Sequence, residues 1–143
     1  MSMTNHDFGL LKWTDIDPIR RPDSKLEQIL KKYPDLNMSY YAGSPDGIAV
    51  DNETGELILI EVKCPYMRKI VNGSIPDYYM AQVQMNMFIL DLDKADFIEF
   101  VPHNIGPRYL QEPQLNIVRI HKDYEWFEKH VPIFHKFWTE VLH

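Results

Sequence analysis

Four consecutive apolar residues, Leu57-Ile58-Leu59-Ile60, run directly into Glu61-Val62-Lys63. A short apolar run of this kind, bounded by turn formers, reads as a buried strand. Charges at the end of such a strand are costly unless they meet partners. Upstream, Asp46–Val50 supplies a second short strand, and the intervening Asp51-Asn52-Glu53-Thr54-Gly55-Glu56 contains the Asn and Gly of a turn. The two strands are expected to form a β-hairpin. Symmetry about the turn sets Asp51 opposite Glu56, Val50 opposite Leu57 and Asp46 opposite Glu61. Cross-strand partners project to one face, as do residues two apart on a strand. Asp46, Glu61 and Lys63 are therefore expected together on one face. Ile58, Ile60, Val62 and Cys64 fall on the other, which is assigned to the core. A slip of one residue would undo the arrangement.

Two carboxylates held that close repel and resist ionising together. A divalent cation resolves the conflict, and hard oxygen ligands suit Mg²⁺ or Mn²⁺. Asp46 and Glu61 are the candidate metal ligands, with the Val62 carbonyl as a backbone oxygen. Lys63 would then orient the attacking water or stabilise charge developing on a phosphate. The competing reading of Glu61 and Lys63 is a solvated ion pair worth little. The opposed Asp46, in a Pro-Asp-Gly turn, weighs towards the metal.

The net charge of −6 over 143 residues does not favour a surface that attracts nucleic acid as a whole. A polyanionic ligand needs a local basic patch or a bound metal. Arg68 and Lys69, in the loop 66–76 just after the site, are the candidate phosphate contacts, against a plain surface loop. Arg20 and Arg21 read as a solvated basic pair. Lys122, Lys129 and Lys136 read as one solvent-facing row. The single cysteine, Cys64, excludes a disulfide within the chain and fits a reducing, intracellular setting. It reads as a coreward, inert thiol. Neither a signal pattern nor a membrane-length apolar run is expected.

Residues 1–22 read as an N-terminal arm, and residues 23–143 as one domain. Asp23-Ser24 is placed to cap a helix that runs to about Tyr33, ahead of Pro34. Leu36 to Ala42 alternates as a strand. Asp77 is placed to cap a helix over Tyr78–Leu90. Strands are expected over Ala95–Val101 and Leu115–His121, and a helix over 123–142 that Pro132 must kink or restart. The order is helix, three strands, helix, strand, strand, helix, a mixed α/β domain with one central sheet. On the middle helix Tyr79, Gln82 and Asn86 form a polar stripe, and Met80, Val83, Met87 and Leu90 an apolar one.

Asp…Glu-x-Lys on a hairpin between two helices resembles the PD-(D/E)XK nuclease superfamily. "SPDG" (44–47), "EVKCP" (61–65) and "YMAQVQ" (79–84) together resemble the phage lambda exonuclease and YqaJ-like viral recombinase family. Weaker similarity continues through Ala95–Phe100, Val118-Arg119-Ile120 and "HVPIF" (130–134), so it spans roughly residues 24–143.

The resemblance implies an α/β (α+β) restriction-endonuclease-like core, a central mixed β-sheet flanked by helices. It implies catalytic roles for Asp46, Glu61, Lys63 and Gln82, and two Mg²⁺ (or Mn²⁺) ions per site. Asp46, Glu61, Val62 and Glu27 would hold metal, with Glu27 balanced between ligation and solvent. Ser44, Tyr79, Arg68 and Lys69 would contact DNA. The implied activity is hydrolysis of duplex DNA from its 5′ ends in phage- or virus-type recombination. The implied setting is the cytoplasm of a bacterial host or the host cell of a DNA virus. The implied partners are DNA ends, further copies of the chain in a trimer, and a single-strand annealing protein, with no membrane. Lambda-type enzymes carry a longer N-terminal helical region that reads the 5′ phosphate. The shorter arm here favours an endonuclease of the same chemistry as a rival reading. A non-catalytic DNA-binding or scaffold module is a second rival, against which the intact Asp46, Glu61, Lys63 and Gln82 weigh.

Overall fold

The computed structural model describes residues 11–12, 25–36, 41–103 and 112–141. Arg20, Arg21, the Asp23-Ser24 cap, most of the 1–22 arm and residues 37–40 of the expected strand lie outside the described residues.

The hairpin forms in the expected register. Strand β3 (Gly47–Val50) runs antiparallel to β4 (Leu57–Lys63), pairing Val50 with Leu57 and Gly47 with Ile60. The turn closes where Asp51 N–H donates to Glu56 O at 2.8 Å. Asp51 Oδ1 also accepts the N–H groups of Glu53 and Thr54, and Gly55 adopts φ 73°. This is the local side-chain turn that Asp favours, followed by a glycine in the left-handed region.

Beyond the hairpin, β4 pairs in parallel with β5 (Lys94–Val101), which pairs antiparallel with β6 (Gln114–His121). The sheet order is β3-β4-β5-β6. A parallel pair needs a crossover, and helix α2 (Asp77–Leu90) supplies it. Pro76, not Asp77, takes the N-cap position, and it makes no side-chain capping bond. Asp77 instead lies in the first turn, where its charge complements the helix dipole. Ahead of the sheet, β1 (Leu11–Lys12) pairs antiparallel with β2 (Ala42–Gly43).

Helix α1 (Lys25–Leu30) is short, giving way to turn bonds from Lys32 to Ile29 and from Tyr33 to Leu30 before Pro34. Helix α3 (Tyr124–Val141) continues through Pro132 without restarting. The expected mixed α/β class is the observed one, but of the strand expected over 36–42 the described residues show only Ala42, in β2, which pairs with Leu11–Lys12 of the expected arm in a separate two-stranded sheet instead of joining the central one. No helix among the described residues is long and apolar enough to cross a membrane.

The core lies between the sheet and the helices. Leu26 and Ile29 of α1, Val83, Met87 and Phe88 of α2, and Phe127 and Val131 of α3 meet Leu59, Ala95 and Phe97 of the sheet. Phe88 and Phe127 stack at 4.0 Å between ring centroids. Each fully buried side chain of this size contributes about 1.5–3 kcal/mol relative to exposure.

Two further expectations are corrected. The core-facing side of β4 is that of Leu59 and Glu61, both within 1% of full burial, not that of Val62 and Cys64. Val62 is 39% exposed and Cys64 is exposed. With Leu57 to Ile60 apolar on both faces, alternation could not tell which face the helices cover. Lys122 is likewise not a solvent-facing residue. It is buried just ahead of α3, with Nζ 2.6 Å from Asp91 Oδ1. Asp91 ends α2 in the left-handed conformation, φ 51°, and the pair stitches that turn to the end of β6.

Candidate active site

β4 runs its charged end beneath α2. Glu61 and Lys63, two apart, share the helix-covered face, and Tyr79 and Gln82, three apart, share a face of α2. Glu61 Oε1 accepts from Lys63 Nζ at 2.5 Å and from Gln82 Nε2 at 2.9 Å. Lys63 Nζ reaches Gln82 Oε1 at 3.4 Å and lies 4.9 Å from the centre of the Tyr79 ring. Lys63, Glu61, Gln82 and Tyr79 thus form one contiguous polar cluster. The Glu61 side chain is 1% exposed, whereas that of Lys63 is 21% exposed. The cluster therefore opens to solvent through the exposed Gln82 and, less widely, through the lysine, while Glu61 closes its floor.

Asp46 enters from the hairpin's other strand. Its Oδ2 accepts the Val62 N–H at 2.8 Å, which pins the carboxylate beside the backbone between Glu61 and Lys63. Pro45 is buried and anchors this approach, while Ser44 and Asp46 are exposed. The sequence-predicted Asp46, Glu61, Lys63, Gln82 and Tyr79 are thus brought together by the hairpin and one helix.

One atom in the cluster lacks a partner. Glu61 Oε2 is buried and accepts no hydrogen bond among the described residues. A buried carboxylate oxygen without a donor is destabilising. A divalent cation would satisfy it, and the oxygen donors of Asp46, Glu61 and the Val62 carbonyl are of the kind that Mg²⁺ or Mn²⁺ takes. Glu27, on α1, is half-buried with Oε1 sealed from solvent. No group of three or more His, Cys, Asp or Glu side chains is placed to hold a metal among the described residues. Glu27 therefore does not close a three-carboxylate cluster with Asp46 and Glu61.

Arg68 folds back towards the sheet. A nitrogen of its guanidinium lies 2.5 Å from Glu99 Oε1, and its Cζ lies 5.7 Å from the Tyr79 ring centre. Burial works against the cation, but hydrogen bonding and attraction from Glu99 outweigh it and hold the guanidinium above its ordinary pKa. Lys69 is exposed on the same loop. Glu99 and Asn116 escaped the sequence reading. The signal was a charge at a core-parity position, since Ala95, Phe97, Glu99 and Val101 fall on one buried face of β5.

Residues 24–93 match the model of the YqaJ-like viral recombinase domain. That interval contains Asp46, Glu61, Lys63, Tyr79 and Gln82, but not Glu99 or Asn116. The chain is also 38% identical over 72 residues to an uncharacterized protein, R354, of Acanthamoeba polyphaga mimivirus. The match covers 42% of this chain and 13% of that protein, so the chain spans a small part of that relative's length.

Proposed function

Residues 24–93 match the YqaJ-like viral recombinase domain, and from that premise we propose that the protein is a Mg²⁺-dependent deoxyribonuclease acting on duplex ends. The observation that carries the reading is the single polar cluster in which Glu61 accepts from both Lys63 and Gln82 while its second oxygen stays unsatisfied.

Asp46, Glu61 and the Val62 carbonyl would hold Mg²⁺ or Mn²⁺. A cation held there would supply charge neutralisation at the phosphate and a lowered pKa for water. The chain's own groups do the rest. Lys63, held between Glu61 and Gln82, places a positive charge where the phosphodiester accumulates negative charge. The Gln82 amide, fixed on α2, orients water for attack on phosphorus in line with the leaving 3′ oxygen. The Val62 N–H keeps Asp46 from swinging away. Tyr79 packs under the lysine, and the exposed Ser44 and Lys69, with Arg68, would be the contacts to the DNA strand.

Two substrates test the reading together. An end-labelled linear duplex and a closed circular duplex are incubated with Mg²⁺, then with EDTA. The proposal expects nucleotides released from the linear DNA, an intact circle and no reaction in EDTA. Nicking of the circle would reassign the same chemistry to an endonuclease. Intact DNA of both kinds would overturn the reading.

A further inference from the structure

The loop that leaves the site is held by two buried polar side chains. Glu99 of β5 is fully buried and stands beside Lys63 in the sheet register. Its Oε1 meets Arg68 at 2.5 Å, and its Oε2 accepts from Asn116 Nδ2 at 3.0 Å. Asn116, 2% exposed, is the cross-strand partner of Glu99 on β6. Its amide also grips the turn of the loop. Oδ1 accepts the Gly73 N–H at 2.9 Å, and Nδ2 donates to Ser74 O at 2.9 Å. Gly73 sits at φ 75°, a conformation only glycine adopts freely.

A carboxylate in a sheet core is expensive to bury and needs a reason. Here one loop connects the two halves of the site. It starts after Lys63 and ends at Pro76, where α2 begins and carries Tyr79 and Gln82 towards that lysine. Arg68 and Lys63 lie against the same Tyr79 ring, at 5.7 and 4.9 Å. A guanidinium clamped by a buried carboxylate is preorganised, and donors fixed in advance act without reorganisation cost.

We propose that Glu99 and Asn116 are positioning residues: they lock loop 64–76 so that Arg68 is presented, beside Lys63, to a phosphate of the bound DNA strand. This rests on the nuclease reading above.

The test is a double-mutant cycle of Glu99→Gln and Arg68→Gln in the full chain, with single-turnover rates and DNA affinity measured separately. Glu99→Gln removes one negative charge, so DNA affinity should stay the same or rise. The cleavage rate should nonetheless fall by about 10- to 100-fold, because the loop is mispositioned. The double variant should be little slower than Arg68→Gln alone. Arg68→Lys, which keeps the charge but loses the fork, should fold and show a similar rate loss. A residue that only supports the fold would lower the melting temperature without coupling to Arg68 in rate. Additive effects, or an unchanged rate in Glu99→Gln, overturn the inference while leaving the nuclease reading standing. A wild-type protein that leaves DNA intact overturns both.

Discussion

The Asp46 carboxylate accepts the backbone N–H of Val62 at 2.8 Å. A residue on one strand of the hairpin is thereby tied to the peptide between Glu61 and Lys63 on the other. The register that makes this contact begins at the Asp51 turn and passes through the Val50–Leu57 pair. The turn thus fixes the site from several residues away, because a one-residue slip would move Glu61 and Lys63 to the opposite face.

Lys63 touches both Glu61 and Gln82, yet its side chain is 21% exposed and its removal leaves no cavity in the core. Lys63→Ala should therefore still fold and take up metal, with a lowered melting temperature in the absence of metal because buried Glu61 loses its cation. Its cleavage rate should fall by about 10²–10³, the usual cost of losing one group that stabilises developing charge. Thermal melting, Mn²⁺ titration and a single-turnover assay check the three parts. Wild-type cleavage by this variant would remove Lys63 from the chemistry.

The hairpin turn should respond to acid. The N–H groups of Glu53 and then Thr54 hold the Asp51 carboxyl below its ordinary pKa of 3.8. A depressed folded-state value means stability that is fully present above 3.8 and fades as the pH falls through the lower, folded value. Asp51→Ala should thus melt lower than wild type at pH 7. The gap should shrink as the pH is taken below the ordinary carboxylate range. A gap that is constant with pH would assign the contribution to something other than the ionised carboxylate.

Lys122 and Asp91 form an ion pair with both side chains at most 2% exposed. Removing one partner leaves a buried charge alone, so Lys122→Ala should cost about 3–5 kcal/mol in urea unfolding. Lys122→Met combined with Asp91→Asn should lie much closer to wild type, since neither charge remains. Equal losses in the single and double variants would show that the packing matters and the charges do not.

Gly43 faces α2 so closely that an added Cβ would overlap the Asn86 amide oxygen. Asn86 is itself buried. Gly43→Ala should cost about 1–3 kcal/mol by overpacking, and Asn86→Ala in the same chain should recover part of it. The site should feel the change as well, because Gly43 leads directly into Ser44-Pro45-Asp46. Equal stability of the single and double variants would deny the contact.

Much of this was legible in the residues, for identifiable reasons. The Asp51–Glu56 turn and the apolar run after it specify a hairpin, and counting along it locates Asp46 against Glu61. The three-residue spacing of Tyr79 and Gln82 on α2 gives the rest of the cluster. What the residues could not give was the covered face of β4, because its apolar run is apolar on both sides. The core was consequently assigned to the face of Cys64, which is exposed. Lys122 was misread for a related reason. Its heptad spacing with Lys129 and Lys136 suggested one helical face, but α3 begins only at Tyr124. Its partner, Asp91, is distant in sequence and adjacent only once α2 and β6 are packed. Asn116 and Glu99 depend on strand pairing in the same way.

The proposed metal-dependent hydrolysis of DNA requires Asp46 and Glu61 together. The most direct measurement is the rate of linear duplex digestion across a Mg²⁺ titration, for wild type and Asp46→Asn side by side. Wild-type cleavage should rise from zero to saturation with Mg²⁺, while the variant, folded to the same extent, should stay near the uncatalysed baseline throughout. A variant that cuts at the wild-type rate, or a wild type that cuts equally well without divalent metal, would contradict the proposal.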